Sequence, residues 1–472
     1  MTRSLRIAMG VAAAVAAVAA CLGIGVRSSY GGHAAVDEPQ YLLTALSLWE
    51  DRSLDISDEL ADRRWRAYFD AELPVQTEVL NGGRQVSPHD PLLPLLLAVP
   101  MGLGGMVAAK ITLGLLAGAS AALTVWVAVR RLAVPPWLAG AGVAAAFASS
   151  PLAIYGQQAY PEMPAALAVL LAVAAGTGPL RRSALVVVAA AIVALPWLSV
   201  KYLPVAAAIA GLVLWRLHKQ ARSRTALTLA VVLAVAGLVY LGLHRLLWGG
   251  WTVYASGDHF VSTGEFSVVG VSPDYLGRSV RLLGLLVDRG YGLVAWQPAW
   301  LLAVAGVAAL ARRRPPGALL LLLPAGVGWA MATWVALTMR GFWSPGRQVV
   351  VILPLVLLAV LWWLAHVAGP RLRLLSAGLG AAGVITYLTL LIDGWAGQLT
   401  WVTGFQGVDN PLYALMRRVL PDYSTAGLGF WLGHGAWILL TATIAVAAWR
   451  QARPTSPASV PPQPGERTLT YA

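Results

Sequence analysis

Apolar runs long enough to enter a bilayer follow one another along this chain with little between them. They fall at roughly 7–26, 92–108, 111–129, 137–155, 163–179, 183–199, 201–215, 226–246, 293–310, 317–338, 348–367, 374–392 and 431–448, thirteen in all. A spanning helix needs about 20 mostly apolar residues, and helices satisfy their own backbone in lipid. The pattern predicts an all-α polytopic membrane protein. The first run follows Arg3 and Arg6. It exceeds the roughly 7–15 apolar residues of a signal-peptide core, so it is expected to stay as a signal-anchor helix.

The second run differs from the rest. Pro91 precedes it, and Pro94, Pro100, Gly102, Gly104 and Gly105 lie inside it, a poor recipe for a straight spanning helix. Short basic clusters separate the other runs: Arg130 with Arg131, Arg181 with Arg182, the stretch Arg216 to Arg224, Arg312 to Arg314, Arg371 with Arg373, and Arg450 with Arg453. If every run crossed, nearly all of these would face away from Arg3 and Arg6, inverting the positive-inside rule. If 92–108 lies in the outer interface, they share one side. The expectation is therefore about 12 transmembrane helices in a multi-pass cell-membrane protein with both termini cytoplasmic. Interfacial helices are expected in a first extracytoplasmic loop at 27–110, with further outer loops at 247–292 and 393–430. The proline-rich 451–472 reads as a disordered cytoplasmic tail.

Composition agrees with this picture: 58% of residues are hydrophobic and 12% charged, about half the usual charged fraction. The formal charge of +13 resides in short clusters between apolar runs, so no nucleic-acid partner is expected. Cys21 is the only cysteine, which excludes a disulfide framework. The cytoplasmic connections are short and contain no glycine-rich phosphate loop.

Chemistry-bearing residues gather on the outer side. Asp37 and Glu38 are adjacent carboxylates at the membrane boundary with Tyr41 just beyond; they are either interface charge or the floor of a cleft. Asp55, Asp58, Glu59, Asp62 and Arg63 to Arg66 read as a solvated polar face. His89 and Asp90 stand where the loop returns to the membrane, and could complete a site, bind a metal or make a local turn. Gln158 and Glu162 flank the start of a helix, where a carboxylate can also serve only as a cap. Lys201 is an outer-rim cation suited to a phosphate or to simple snorkelling, and Arg347 before a later span can offer a phosphate a bidentate donor fork.

In this order and on one side, these elements resemble the GT-C superfamily of polyprenyl-phosphate-dependent glycosyltransferases, above all its protein O-mannosyltransferase and aminoarabinose transferase branch. The resemblance runs over about the first 360 residues: Asp37–Glu38 with Tyr41, the return at Pro88 to Pro94, the Pro151 to Glu162 turn, Lys201 before Pro204, and Arg347 before a span. It implies a GT-C-like catalytic domain over 1–450 that takes a polyprenyl-phosphate-linked sugar donor, surrounded by membrane lipids, and glycosylates a cell-envelope glycan, glycolipid or protein hydroxyl with inversion. Asp37 matches the family's catalytic base. Glu38, Tyr41, His89, Asp90, Gln158, Glu162, Lys201 and Arg347 are the expected substrate-binding residues. Where the family often has a lysine and tandem prolines, this chain has His89–Asp90–Pro91. A divalent metal ion held by Glu38, His89, Asp90 or Glu162 is left open. The alternative from another class is a transporter or flippase of lipid-linked sugar, which calls for ionisable residues deep within helices.

Overall fold

The computed structural model describes residues 1–80, 82–251 and 273–452. Tyr254, Asp258, His259 and Glu265 of the second outer loop, and nearly all of the proposed tail, lie outside the described residues. Helices come in the order α1 (Arg3–Leu22), α2 (Glu38–Glu50), α3 (Ser57–Ala61), α4 (Leu92–Leu132), α5 (Pro136–Phe147), α6 (Leu152–Tyr155), α7 (Glu162–Gly176), α8 (Arg182–Leu198), α9 (Leu203–Lys219) and α10 (Ser223–Trp248). After the undescribed segment follow α11 (Tyr275–Arg278), α12 (Arg281–Val287), α13 (Leu293–Trp296), α14 (Leu302–Arg313), α15 (Ala318–Ala330), α16 (Leu353–His366), α17 (Pro370–Trp395), α18 (Pro411–Val419) and α19 (Leu428–Gln451). Among the described residues the only sheet is a two-stranded hairpin in the first loop, Glu78–Val79 with Gln85–Val86.

Eight helical segments among the described residues are long and apolar enough to cross a bilayer, and α5, α7 and α8 are shorter apolar helices. Large apolar side chains lie bare along α10 and α19, among them Leu227, Leu238, Leu246, Leu428 and Leu439, as hydrocarbon-facing surfaces require. Small residues set the central packing. A Cβ at Gly118 would come within 2.9 Å of the Ala13 carbonyl, and one at Gly114 within 2.8 Å of Cys21 Sγ, so α1 and α4 pack with their backbones close.

The run at 92–108 and its successor form one helix, α4, broken at Gly104 (φ −149°) and Gly105 (φ +62°). Only glycine takes the second of these conformations without strain. The limb before the break, 92–103, is about 18 Å long at 1.5 Å per residue, short of the roughly 30 Å hydrocarbon thickness. It packs on α2, where Gly102 makes room for the Trp49 ring.

The helices also separate two kinds of charge. At one end, arginines donate to the last carbonyls of neighbouring helices, Arg131 to Ala174 (3.2 Å), Arg373 to Leu364 (2.8 Å) and Arg216 to Gly176, while Arg222 donates to Leu180 in the connection between α7 and α8 (2.6 Å). His366 at the end of α16 bonds the Leu132 carbonyl that closes α4. At the opposite end of the same helices stand Glu162, opening α7, Lys201, just before α9, and Arg347, in the 3-10 turn that leads into α16.

Candidate active site

Asp37 stands at the N-terminal boundary of α2, without capping it, at a sharp bend made by Val36, whose φ is +55°. The adjacent carboxylates diverge there. Asp37 lines a cavity of about 500 Å³, whereas Glu38 turns inward and is completely buried. Its carboxylate accepts the amides of Ala35 (2.9 Å) and Ala159 (2.8 Å) and pairs with Lys110 at 3.2 Å. Lys110, also fully buried, donates to the His33 carbonyl at 2.6 Å, and Tyr160 donates to the Ala35 carbonyl at 3.0 Å. Every one of these bonds holds the 33–38 backbone beneath Asp37. Glu38, expected among the substrate-binding residues, is fully buried, takes three donors from inside the protein and does not line the cavity.

Arg347 joins the carboxylates of two distant segments. Its Nη2 donates to Asp37 Oδ2 at 2.7 Å and its Nε to Glu162 Oε1 at 3.1 Å, while its guanidinium lies 4.0 Å over the Tyr160 ring. Lys201 reaches the same Glu162 oxygen at 2.9 Å, so it is not the lone ammonium that its sequence setting suggested. Gly346 delivers Arg347 to this point: its φ is +80°, and a Cβ there would lie 2.9 Å from both Leu293 and Pro151. Exposure falls from 28% for the Lys201 side chain and 20% for Asp37 to 10% for Arg347 and 2% for Glu162, which ranks Lys201 and Asp37 as the groups an incoming molecule meets. Burial would raise the Asp37 carboxyl, but Arg347, with His89 and Lys201, outweighs it and holds the group below the ordinary carboxylate value.

His89 also lines the cavity, its ring stacked on Tyr41 at 4.5 Å between centroids. Asp90 points elsewhere: it accepts the Val200 amide (3.0 Å), Tyr240 Oη (2.9 Å) and His244 Nε2 (3.0 Å) in a buried cluster. That cluster fastens the loop return and α10 to the turn carrying Lys201, so Asp90 supports the site from behind. Gln158 is fully buried in the turn before Glu162 and does not line the cavity.

The four residues put forward as metal ligands do not converge. Glu38 and Asp90 are occupied by their own partners, and Glu162 takes Lys201 and Arg347 through Oε1 while its buried Oε2 has no hydrogen-bond partner among the described residues. Among the described residues the one group of three or more possible ligands lies in the first loop, at Asp51, Asp58 and Glu59. There Glu59 departs from the expected solvated face: it is 2% exposed, and burial together with Asp58 pushes its carboxyl up to about 8.

Sequence reasoning missed Lys110, Tyr160 and the His244–Tyr240 pair. It also missed Arg340 at the cavity rim, which binds the buried Asp288 at 2.6 Å and Asp422 at 3.2 Å and so joins the later outer connections to the site. From the charged end the cavity continues along an apolar wall that includes Val205, Met331, Ala332, Val335 and Leu337. A second cavity, about 340 Å³ between α5, α16 and α17, has Arg373 but no carboxylate in its lining.

The fold and this cavity define an all-α polytopic protein in which eight helical segments, among the described residues, are long and apolar enough to cross a membrane. No protein-family model and no curated protein matches the sequence. In structure, the chain is similar to ArnT from Cupriavidus metallidurans bound to undecaprenyl phosphate, with a TM-score of 0.52 and 12% identity over 93% of this chain and 76% of that one. The apo state of the same protein gives a TM-score of 0.42 at 13% identity, covering 91% and 75% of the two chains.

Proposed function

We propose that this protein is an inverting glycosyltransferase that moves a sugar from a polyprenyl-phosphate donor to a hydroxyl of a cell-envelope glycan, glycolipid or protein. One observation carries this reading: a single cavity in which Asp37, Lys201 and Arg347 pass directly into an apolar wall. A carboxylate, two cations and a greasy groove suit a substrate with an anionic head and a hydrocarbon tail. The structural neighbour ArnT, bound to undecaprenyl phosphate, supports that choice of ligand.

In the proposed reaction the acceptor oxygen bonds to the anomeric carbon as the bond from that carbon to the phosphate oxygen breaks. The electron pair leaves with the phosphate, and the configuration inverts. Arg347 and Lys201 neutralise the charge that grows on the departing phosphate. The hydroxyl proton passes to Asp37, whose Oδ1 is not used by Arg347. Glu162 holds both cations in register, while His89, braced by Tyr41, faces the incoming substrates.

The active site is assigned to the extracytoplasmic face, because the carbonyl-capping arginines at the far end follow the positive-inside rule. With 92–103 packed in the outer interface, the chain crosses about twelve times and both termini are cytoplasmic. Cysteines placed at positions 130 and 181 are expected to react only from inside; labelling only from outside would overturn this topology.

The reaction is tested by presenting purified protein in lipid with a panel of polyprenyl-phosphate sugars and scoring released polyprenyl phosphate. If the lipid-linked sugars remain intact while one is carried across the bilayer of sealed vesicles, the protein is a flippase and the transferase reading fails.

A further inference from the structure

The far end of α2 carries a second group of acids, remote from the cavity. Asp37 precedes the first residue of this 13-residue helix and Asp51 follows its last, a separation of about 20 Å along the axis. Asp51 meets Asp58 and Glu59 of α3, one oxygen from each lying within 4.8 Å of the others. Asp51 and Asp58 open to solvent, whereas Glu59 is 2% exposed. Both Glu59 oxygens are buried without a hydrogen-bond donor among the described residues. The cation that could have answered them is committed elsewhere: Arg64 places its two terminal nitrogens on Glu50 at 3.0 and 2.7 Å.

We propose that Asp51, Asp58 and Glu59 form a binding site for a hard divalent cation of the calcium class, which ties the end of α2 to α3. An inward-facing carboxylate with no donor is a costly arrangement, and a cation shared with two neighbouring acids removes that cost. Calcium–oxygen bonds of about 2.3–2.6 Å place ligand oxygens up to about 5 Å apart across the ion, in keeping with the 4.8 Å spacing. An all-oxygen donor set disfavours zinc, which prefers nitrogen and sulfur. Magnesium demands near-ideal octahedral geometry, which three carboxylates of unequal burial do not impose. The two exposed acids leave room for water to complete a calcium shell. The ion would act as a clasp on the helix whose other end presents Asp37.

The site is independent of the reaction proposed above, and its test reads no activity. Full-length protein in lipid nanodiscs is stripped with EDTA, then followed by radiolabelled calcium binding and by thermal unfolding with calcium chloride. Magnesium chloride and sodium chloride at equal ionic strength serve as comparisons. One saturable site per chain is expected, half-filled on the order of 0.1–1 mM as in extracellular calcium modules, with Tm rising in step. Asp58→Asn and Glu59→Gln should each weaken binding at least about tenfold, while the nearby control Asp62→Asn should not. Because Asp58 is exposed, its variant keeps the test valid even if Glu59→Gln folds poorly. Absence of saturable binding below about 10 mM, well above that range, or unchanged affinity in both variants, overturns the proposal. So does a wild-type Tm indifferent to calcium alongside a Glu59→Gln protein that is more stable in EDTA, because a shared proton would then be filling the cluster.

Discussion

Replacing Asp37 with Asn separates two jobs that one carboxylate could do. The substitution removes the proton acceptor yet keeps an oxygen for Arg347 Nη2, now 2.7 Å from Oδ2. Arg347 also stays anchored to Glu162 through Nε at 3.1 Å, so the cation should not move. If Asp37 is the base, turnover falls by at least about 100-fold, the low end of general-base contributions, which is about 2.7 kcal/mol of barrier. Donor binding should hold or tighten, because one negative charge beside the phosphate site has gone. Single-turnover transfer at saturating donor and acceptor, with donor affinity measured separately, gives both numbers. If Asp37 serves only to orient Arg347, the variant will turn over at a near-normal rate, and the assignment of the base is wrong. The pH profile supplies an independent check. With the Asp37 carboxyl held below its ordinary value by Arg347 against burial, its contribution to stability is complete above the unfolded carboxylate value of about 3.9. That contribution is lost as pH falls through the lower folded value. An acidic limb in kcat/KM centred near neutrality that disappears in Asp37→Asn would contradict this.

Arg347→Lys cannot span Asp37 and Glu162 as the guanidinium does, and kcat/KM should fall roughly 10- to 100-fold, the equivalent of one charge-assisted hydrogen bond; steady-state kinetics near wild type would refute the bridge. Lys110→Met strands the buried Glu38 and should destabilise the protein by about 3–5 kcal/mol, with part of the loss recovered by adding Glu38→Gln. Denaturant unfolding in lipid reads both, and an unchanged single variant would remove Lys110 from its supporting role. His244→Phe loosens Asp90 and, through the Val200 amide, the turn bearing Lys201, so kcat/KM for the donor should fall, with kcat falling as charge stabilisation on the departing phosphate weakens. Steady-state kinetics near wild type would point to another route.

The helical framework was largely legible because its signals are local: apolar length, arginine clusters, and the proline and glycine content of 92–108. Common sidedness was enough to suggest that Asp37, Glu162, Lys201 and Arg347 share a surface, and the structure joins the four in one chain of contacts, Asp37 to Arg347 to Glu162 to Lys201. What escaped is tertiary. No periodicity announces that Lys110, between two apolar runs, meets Glu38 across 72 positions, or that His244 meets Asp90 across 154. Nor could adjacency orient Asp37 against Glu38; the bend at Val36 sends one outward and the other in. Glu59 was misjudged for a related reason, since a polar segment gives no sign of which acid the loop will fold over.

The arginines gathered at one end of the helices also meet free carbonyls there, which bears on how the chain is assembled in the cell. The α7–α8 junction exposes the carbonyls of Ala174, Gly176 and Leu180, and these are met by Arg131 from before α7 and by Arg216 and Arg222 from after it. During synthesis the first partner is already in place when α7 enters the membrane, but the other two emerge only once α9 has been made. Until then part of this helix end must rely on water or lipid headgroups. Insertion of the following helical pair therefore completes α7, and an arginine removed to probe topology removes a piece of its neighbour's structure as well.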